Sequence, residues 1–446
     1  METIKAWINQ NKITEVECLT PDMTGIARGK IIPASKFLAE KEMRIPEAIY
    51  AQTVNGDYPD DDDGTLLDPT DKDMYLRPDS STIRLVPWAK DPTCSVIHDA
   101  FNGDGKPIEI GPRYILRRVL DLYKDKGWEP IIAPELEFYL VAQQADPDIP
   151  LKPPIGRSGR PETGRQSYSI DAVNEFDPLF EELYDFCDAQ GLDVETLIHE
   201  VGAGQMEINF LHGNPLALAD QVFLFKRTVR EVALRQNVYA TFMAKPMAFE
   251  PGSAMHIHQS VVSAVSGQNI FVKPDGSNSD QFLHYIGGLQ KYLPQAMLML
   301  APFVNSYRRT TRFSTAPINV QWGYDNRTVG LRVPYSAPQA RRVENRLPGA
   351  DANPYLVLAA TLAAGWLGIE EKIAPTEALQ TSAYDMPYQL PRNIEQAIHE
   401  LQGCQSLRQT LGGKFIDTFC AVKDKEYETF LRVISSWERE HLLLAV

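Results

Sequence analysis

Residues 134–140, with the sequence PELEFYL, constrain the fold of this chain more than any other stretch. Because successive side chains of a β-strand point to opposite faces, Glu135 and Glu137 share one face of this stretch. The other face carries Leu136 and Phe138 and would be buried in a core. Two neighbouring carboxylates in such a strand repel each other and lose hydration. The stretch therefore predicts a core strand whose acidic pair is neutralised by cationic partners.

Further potential metal ligands occur in other strand-like segments. Glu200 and Glu207 lie near one such segment, His256 lies in a second and Glu344 in a third. An ordinary salt bridge would explain any one of these acids alone. Carboxylates combined with one imidazole, however, suit Mg²⁺ or Mn²⁺ better than zinc or copper. We therefore predict two divalent cations that hold a nucleotide triphosphate, with these ligands: Glu135, Glu137, Glu200, Glu207, His256 and Glu344.

Arginines cluster in the loop-rich residues 302–348, at positions 308, 309, 327, 332, 341, 342 and 346. Guanidinium groups bind carboxylate and phosphate oxygens bidentately, so this cluster in an acidic protein predicts an anionic ligand. The alternative is an ion-pair network at the surface or at a subunit interface. The chain has neither a Walker-type glycine loop nor a Gly-x-Gly-x-x-Gly motif after a strand. Metal ions and arginines would therefore have to bind the phosphates.

Composition excludes several classes of protein. The net charge of −15 argues against a nucleic-acid partner. No apolar run has membrane-spanning length, and the N-terminus lacks the pattern of a signal peptide. Five scattered cysteines predict reduced thiols and a cytoplasmic location. A chain of 446 residues is expected to form two domains or one large composite.

The Gly- and Pro-rich residues 103–112 divide the chain into two parts. Residues 1–105 are expected to form a small β-rich domain after an opening helix, and residues 106–446 a larger domain, which together predict an α+β fold. Helices are expected at residues 113–126, 178–190, 216–239, 281–300 and 353–369. Strands are expected at residues 254–262, 318–322, 328–333 and 341–347, among others.

In order, these motifs resemble the glutamine synthetase superfamily across nearly the whole chain. The matching stretches are PELEF (134–138), HEV and GQ-x-E (199–207), FMAKP (242–246), GSAMHIH (252–258), NSYRR (305–309), NR (326–327), RRVENR (341–346) and ANPYL (352–356). The resemblance implies a β-grasp-like N-terminal domain and a catalytic domain with a curved antiparallel sheet flanked by helices. It also implies a homo-oligomer, usually a dodecamer of two stacked hexameric rings, with active sites between subunits.

The resemblance also implies residue roles. A first metal site would use Glu137, Glu200 and Glu207, and a second would use Glu135, His256 and Glu344. Glutamate would be held by Gly252, Arg309 and Arg346, and the transferring phosphoryl group would be stabilised by Arg327, with Arg327 and Glu344 as catalytic residues. The nucleotide would lie against Glu195, His258, Ser260, Arg332 and Arg342. The implied reaction uses ATP to form γ-glutamyl phosphate, which an amine then attacks.

Several departures from the family pattern bear on which amine the protein would use. Six positions after Arg309, where glutamine synthetases carry an acid, this chain has Thr315, and residues 50–56 lack the acid that helps bind ammonium. The chain thus looks most like the branch that makes γ-glutamylpolyamines, and an organic amine is expected. Ala254 and Pro251 also depart from the pattern beside the glutamate site. Two alternatives stay open, namely a glutamine synthetase that uses ammonium and a catalytically silent member of the family.

Overall fold

The computed structural model describes residues 2–39, 43–61, 64–163, 165–312 and 314–446. Its N-terminal part contains a six-stranded sheet in the order β2-β1-β6-β4-β3, with β5 also paired to β6. The elements are α1 (Glu2–Gln10), β1 (Glu15–Pro21), β2 (Ala27–Pro33), α2 (Ala34–Ala39), β3 (Met43–Pro46), β4 (Asp73–Pro78), β5 (Arg84–Leu85) and β6 (Thr93–Phe101). Strands β1 and β6 pair in parallel, whereas β1 with β2 and β6 with β4 pair antiparallel, as expected for a β-grasp-like unit.

An eight-stranded sheet forms the centre of the larger part. Its order is β12-β13-β14-β11-β7-β9-β8, and β10 also pairs with β7. The strands are β7 (Trp128–Ala142), β8 (Val194–His199), β9 (Gln205–Phe210), β10 (Val238–Thr241), β11 (Met255–Ser263), β12 (Trp322–Tyr324), β13 (Leu331–Val333) and β14 (Val343–Asn345). All pairs are antiparallel except β12 with β13 at the sheet edge, so the expected antiparallel sheet is confirmed with that one exception.

Helices cover this sheet and build most of the core. They are α3 (Pro112–Asp125), α4 (Ile170–Asn174), α5 (Asp177–Gln190), α6 (Pro215–Arg235), α7 (Asp280–Tyr292), α8 (Met297–Leu300), α9 (Pro354–Glu370), α10 (Ile394–Gly403), α11 (Gln405–Leu411), α12 (Gly413–Phe430) and α13 (Ser436–Leu442). Helix α9 is apolar all round and buried along nearly its whole length, which suits its place between α3, α6 and α7. Among the described residues, no helix is long and apolar enough to span a bilayer.

Several sequence-based element bounds were wrong. The strands expected at 328–333 and 341–347 are confined to Leu331–Val333 and Val343–Asn345. The helix expected at 281–300 ends at Tyr292, because Pro294 cannot continue the hydrogen-bond ladder. The helix expected at 216–239 ends at Arg235, where Asn237 with φ of 57° reverses the chain into β10. Residues 318–322 form a strand only from Trp322 onward. The domain boundary at residues 105–106 stays a prediction, and it falls in the connection between β6 and α3.

Arg113 on α3 links the N-terminal sheet to the larger part of the molecule. Its guanidinium lies 2.7 Å from Asp79, 2.5 Å from Asp99 and 2.9 Å from Asp220 on α6. The Arg113 side chain is 4% exposed, whereas Arg117, which shares Asp79 and Asp99, is 39% exposed. Arg113 is therefore the buried centre of this network and Arg117 its solvated edge.

We expect Arg113→Met to lower the free energy of unfolding by about 3–5 kcal/mol, because it leaves buried carboxylates without their cation. The matched control Arg117→Met should cost less than about 1 kcal/mol, since water screens that side chain. Denaturant unfolding of the two variants measures the difference. Equal losses would contradict the assignment of Arg113 as the link between the two parts.

Candidate active site

The acidic cluster is built by the register of β7 with its two neighbours. On one side Glu137 is paired with Glu207 of β9, and on the other Glu135 is paired with His256 of β11. Glu200 follows the end of β8, beside β9. Since β7, β9 and β11 are adjacent, the side chains predicted as ligands converge on one face of the sheet.

One half of this cluster consists of Glu137, Glu200 and Glu207, whose pKa values are raised by burial and by repulsion between the carboxylates. Burial, followed by the neighbouring Glu200 carboxylate, raises the pKa of Glu137 from its ordinary 4.5 to about 8. Burial, followed by the carboxylates of Glu137 and Glu135, raises the pKa of Glu207 to about 9. The pKa of Glu200 is raised by the same two causes, burial first. These three glutamates lack enough positive charge from the protein itself.

Histidine and arginine side chains stabilise the carboxylates of the other half, Glu135 and Glu344. Burial disfavours the Glu135 carboxylate, but hydrogen bonds from His256 and His258 outweigh it and hold the pKa of Glu135 well below its usual range. Glu344 is fully buried, yet Arg346, and then His256, keep its pKa at about 2. Burial and the charge of Arg346 lower the pKa of His256 to about 4, so its imidazole is neutral near pH 7.

The donor set fits hard divalent cations. Two groups each bring three potential ligand atoms within 4.8 Å of one another, one formed by Glu135, Glu207 and His256 and the other by Glu135, His258 and Glu344. Glu135 belongs to both groups. His256 Nδ1 also lies 3.4 Å from Glu135 and 3.6 Å from Glu344. Carboxylate oxygens with a neutral imidazole suit Mg²⁺ or Mn²⁺, and such ions would supply the missing positive charge.

A cavity of about 830 Å³ opens over this cluster and is called the first cavity. Its lining includes Glu135, Glu137, Glu200, Glu207, His256, Gly252, Arg309, Arg327, Arg332 and Arg346. Glu344 lies beneath them, where its carboxylate accepts hydrogen bonds from Arg332 and Arg346. The structure therefore brings together the residues predicted for metal, glutamate and phosphoryl binding.

The part of the first cavity predicted to hold glutamate is rigid. Arg309 is buried and donates to the carbonyl oxygens of Leu347 at 2.8 Å and Arg346 at 3.0 Å. Among the described residues, the buried Nε of Arg346 has no hydrogen-bond partner, as expected if an anionic ligand completes it. At Gly252, a Cβ atom would lie 2.5 Å from the Ala244 carbonyl oxygen and 2.6 Å from Arg309 Cγ, so only glycine fits.

A second cavity of about 570 Å³ adjoins the first and shares Glu135 and Asn209 with it. Its lining includes the residues predicted for the nucleotide side, namely Glu195, His258, Ser260 and Arg342. Arg332, also predicted there, lines the first cavity instead. Arg342 donates to His258 Nδ1, so His258 Nε2 carries the proton and donates to Glu135 at 2.7 Å. The two cavities therefore adjoin at Glu135 and Asn209.

Comparison with known proteins identifies the family. The model of the glutamine synthetase catalytic domain matches residues 109–442. The chain belongs to the glutamine synthetase family. Relatives of this family member include the γ-glutamylputrescine synthetase of Escherichia coli K12, 33% identical over 99% of this chain and 94% of the relative. The glutamate–isopropylamine ligase of a Pseudomonas species is 32% identical over 98% and 96%, and the glutamine synthetase of Thermococcus kodakarensis is 32% identical over 89% and 88%.

Solved structures agree with this family assignment. The ligand-free structure of GmaS has a TM-score of 0.84 and 28% identity, with all of both chains covered. A complex of GmaS with ADP has a TM-score of 0.82 and 27% identity, with 98% of both chains covered. The expected glutamine synthetase fold is therefore confirmed over the whole chain.

Sequence reasoning missed several residues of the site in this family member. Gln205 donates to Glu137 at 3.2 Å and to the Gly252 carbonyl at 3.0 Å, so it joins the metal and glutamate regions. Its position on the same strand face as Glu207 could have revealed it. His199 lies 2.8 Å from Glu162, and Glu162 also accepts a hydrogen bond from the Gly204 amide in the turn before Gln205. His212 lines the second cavity.

The positions that depart from the family pattern also lie at the site. Thr315 and Pro251 line the first cavity, and the amide of Ala254 donates to Glu137 at 2.8 Å. Tyr384, in a segment that resembles the modified loop of some glutamine synthetases, is buried. Its hydroxyl donates to the Ala316 carbonyl at 3.2 Å, so it is not presented for modification.

We expect the metal-free protein to lose stability as pH rises from about 5 to 9, relative to the same protein with Mg²⁺. Glu137 and Glu207 titrate at about 8 and 9 when folded but at 4.5 ordinarily, so across this interval the folded state holds protons that the unfolded state has released. Metal binding requires the carboxylates and should strengthen across the same interval. Thermal unfolding with EDTA and with Mg²⁺ at several pH values measures both effects.

The matched control is Glu207→Gln, which keeps the side-chain shape but removes one titrating acid. This variant should show a smaller pH dependence without metal and a smaller stabilisation by Mg²⁺. A Mg²⁺-induced stabilisation that is constant or decreases between pH 6 and 9 would contradict the metal assignment.

Proposed function

We propose that this protein is an ATP-dependent ligase that joins the γ-carboxylate of glutamate to an organic amine through γ-glutamyl phosphate. The main support for this proposal is that residues predicted to bind metal, glutamate and the phosphoryl group line one cavity. Five of the six residues predicted as metal ligands line the same cavity as Arg309, Arg327, Arg346 and Thr315, and at the position of Thr315 a glutamine synthetase would carry an acid. The named relatives that join glutamate to putrescine or isopropylamine support the same reaction.

We assign two divalent ions to the acidic cluster. Glu137, Glu200 and Glu207 would hold the first, and Glu135, His256 and Glu344 the second. When bound, the ions neutralise negative charge on the phosphate oxygens of ATP. His258 then has a positioning role, because its hydrogen bond to Glu135 orients that carboxylate while Arg342 fixes the imidazole tautomer. Both ions would lie where the two cavities meet.

Nucleotide and glutamate would enter from different sides. The second cavity would hold the nucleotide against Glu195, Ser260 and Arg342, with its phosphates directed past Glu135 into the first cavity. There Arg332, fixed by Asp325 and Glu344, faces the same region. Glutamate would bind between Gly252, Arg309 and Arg346. This arrangement aligns the γ-phosphoryl group with the γ-carboxylate.

We assign to Arg327 the role of stabilising the phosphoryl group during its transfer from ATP to glutamate. Its side chain is exposed, lines the first cavity and interacts electrostatically with Glu200. A guanidinium that is mobile before the substrates bind can reach the equatorial phosphate oxygens, where negative charge accumulates. Buried Glu344 contributes by holding Arg332 and Arg346 in the orientation that the two substrates require.

We also propose that the protein acts in the cytoplasm as a homo-oligomer, with two hexameric rings as the expected form. Apolar side chains at the C-terminus support assembly, because Trp437, Leu443 and Leu444 are exposed in the single chain. The five cysteines are all buried and scattered through the fold, which suits a reducing compartment.

We expect ADP and phosphate release to require ATP, glutamate, Mg²⁺ or Mn²⁺ and an amine together. In a panel of ammonium, hydroxylamine, ethanolamine, putrescine, spermidine and small monoamines, an organic amine should exceed ammonium in kcat/KM. If ammonium is the best acceptor, the protein is a glutamine synthetase. If nucleotide and Mn²⁺ bind but no amine or other carboxylic acid supports turnover, it is a silent member of the family.

Replacing Arg327 with methionine should lower kcat about 10³-fold or more, since the transferring phosphoryl group loses its guanidinium. Binding of nucleotide, measured by calorimetry, should change little. Arg308→Met is the matched control, because this arginine lies beside Arg309 but is exposed outside the cavity lining. Similar kcat values for the two variants would contradict the role of Arg327.

A further inference from the structure

We propose that Tyr139 is a positioning residue that aligns the backbone assigned to glutamate binding with Glu137. This inference rests on the proposed ligase function and adds a residue to it. Tyr139 lies on β7, two positions after Glu137 and therefore on the same face of the strand. It is fully buried and is not among the residues that line the first or the second cavity. It would therefore act through its neighbours rather than on the substrates.

The Tyr139 hydroxyl lies where three segments meet. It donates to the Pro251 carbonyl at 2.8 Å and lies 3.1 Å from Gln205 Oε1. Gln205 is the direct partner of Tyr139 in the register of β9 with β7, and its Oε1 also accepts from the Gly202 amide at 3.0 Å. The hydroxyl thus connects β7 to the turn before β9 and to residues 251–254, which we call the glutamate strap.

Gln205 carries this constraint into the site. Its amide nitrogen donates to Glu137 at 3.2 Å and to the Gly252 carbonyl at 3.0 Å. Since its oxygen is shared by Tyr139 and Gly202, all the hydrogen-bonding positions of the amide are used. Gln205 is 1% exposed, so a lost bond cannot be replaced from bulk solvent. The orientation of Gln205 therefore depends on the Tyr139 hydroxyl.

The glutamate strap is tied to β7 at both of its ends. At its last residue, the Ala254 amide donates to the Glu137 carboxylate at 2.8 Å, and the Glu137 amide donates to the Ala254 carbonyl at 2.9 Å. At its first residue, the Pro251 carbonyl accepts from Tyr139. Gly252 lies between these two ties, so both of them set its position relative to Glu137.

The ring of Tyr139 has a separate role in packing. It forms a small apolar cluster with Val141 and Met247, and Leu151 packs against that cluster. A phenylalanine keeps the ring and these contacts. Tyr139→Phe therefore removes the hydroxyl alone and tests positioning without opening a cavity in the core.

With full-length protein and Mn²⁺, Tyr139→Phe should raise the dissociation constant for glutamate, measured by calorimetry without ATP, about tenfold, because the strap loses a buried hydrogen bond. In phosphate-release assays the KM for glutamate should rise by the same factor, while kcat and the KM for ATP stay within about twofold of their natural values. An unchanged affinity for glutamate, or a loss confined to kcat, would overturn the proposal.

Tyr123→Phe is the matched control. Tyr123 is also fully buried, and its hydroxyl donates to the Leu362 carbonyl at 2.7 Å, between α3 and α9 and away from both cavities. Both variants should lower the unfolding temperature by similar amounts, but Tyr123→Phe should bind glutamate as the natural protein does. Equal losses of glutamate affinity would show a general effect of lost stability and would overturn the positioning role.

Combination with Gln205→Leu tests whether Tyr139 acts through Gln205. The hydroxyl should matter less once the amide is absent, so the double variant should weaken glutamate binding by less than the product of the two single effects. An effect equal to that product would mean that the two residues act independently, which contradicts the proposed connection.

Failure of the ligase function would appear differently. A natural protein that binds no glutamate would overturn that function and this inference together. The inference fails alone when the natural protein binds glutamate and uses it in phosphate release, but Tyr139→Phe binds glutamate equally well.

Discussion

Repulsion among buried carboxylates is the constraint on which the rest of this structure depends. Glu135, Glu137 and Glu207 lie on adjacent strands with Glu200 beside them, in surroundings where burial raises the free energy of each charge. No fold tolerates such a cluster without compensation. Strand β7 anchors the cluster to the core. One face of the strand carries the glutamates, and the other carries Leu136 and Phe138, which are fully buried.

Compensation is divided between the protein and its ligands. Histidine and arginine side chains balance Glu135 and Glu344, which therefore stay ionised. At Glu137 and Glu207, burial and neighbouring carboxylates outweigh the nearby positive charges, and the divalent cations that we propose would supply the missing charge. The cations would in turn attract phosphate, and Arg327 would complete the balance as charge moves.

Much of this could be predicted from sequence because strand alternation is a local rule. The PELEFYL pattern was sufficient to place Glu135 and Glu137 on one face, and the six side chains predicted as metal ligands lie close together in the structure. Strand register was not predictable from local pattern, so the pairing of Glu135 with His256 needed the structure. Helix ends at Tyr292 and Arg235 were misplaced because apolar periodicity continues past the residues where the backbone turns.

Other features depend on contacts between distant residues. Glu162 lies in a segment rich in Pro, Gly and Arg, and nothing local indicates its pairing with His199. Burial of Tyr384 against Ala316 depends on packing across 68 positions of sequence. The left-handed backbone of Thr315, with φ of 65°, is likewise not indicated by the local sequence. The residues proposed as metal ligands were accessible to sequence reasoning because strand alternation is local, whereas these tertiary features were not.

The most direct test of the central claim is anomalous X-ray scattering at the manganese edge, from crystals grown with Mn²⁺ and a non-hydrolysable ATP analogue. The account predicts two separate peaks in each active site. One should lie within bonding distance of Glu137, Glu200 and Glu207, and the other of Glu135, His256 and Glu344. Absence of manganese from the cluster, or a single ion held by other residues, would contradict it.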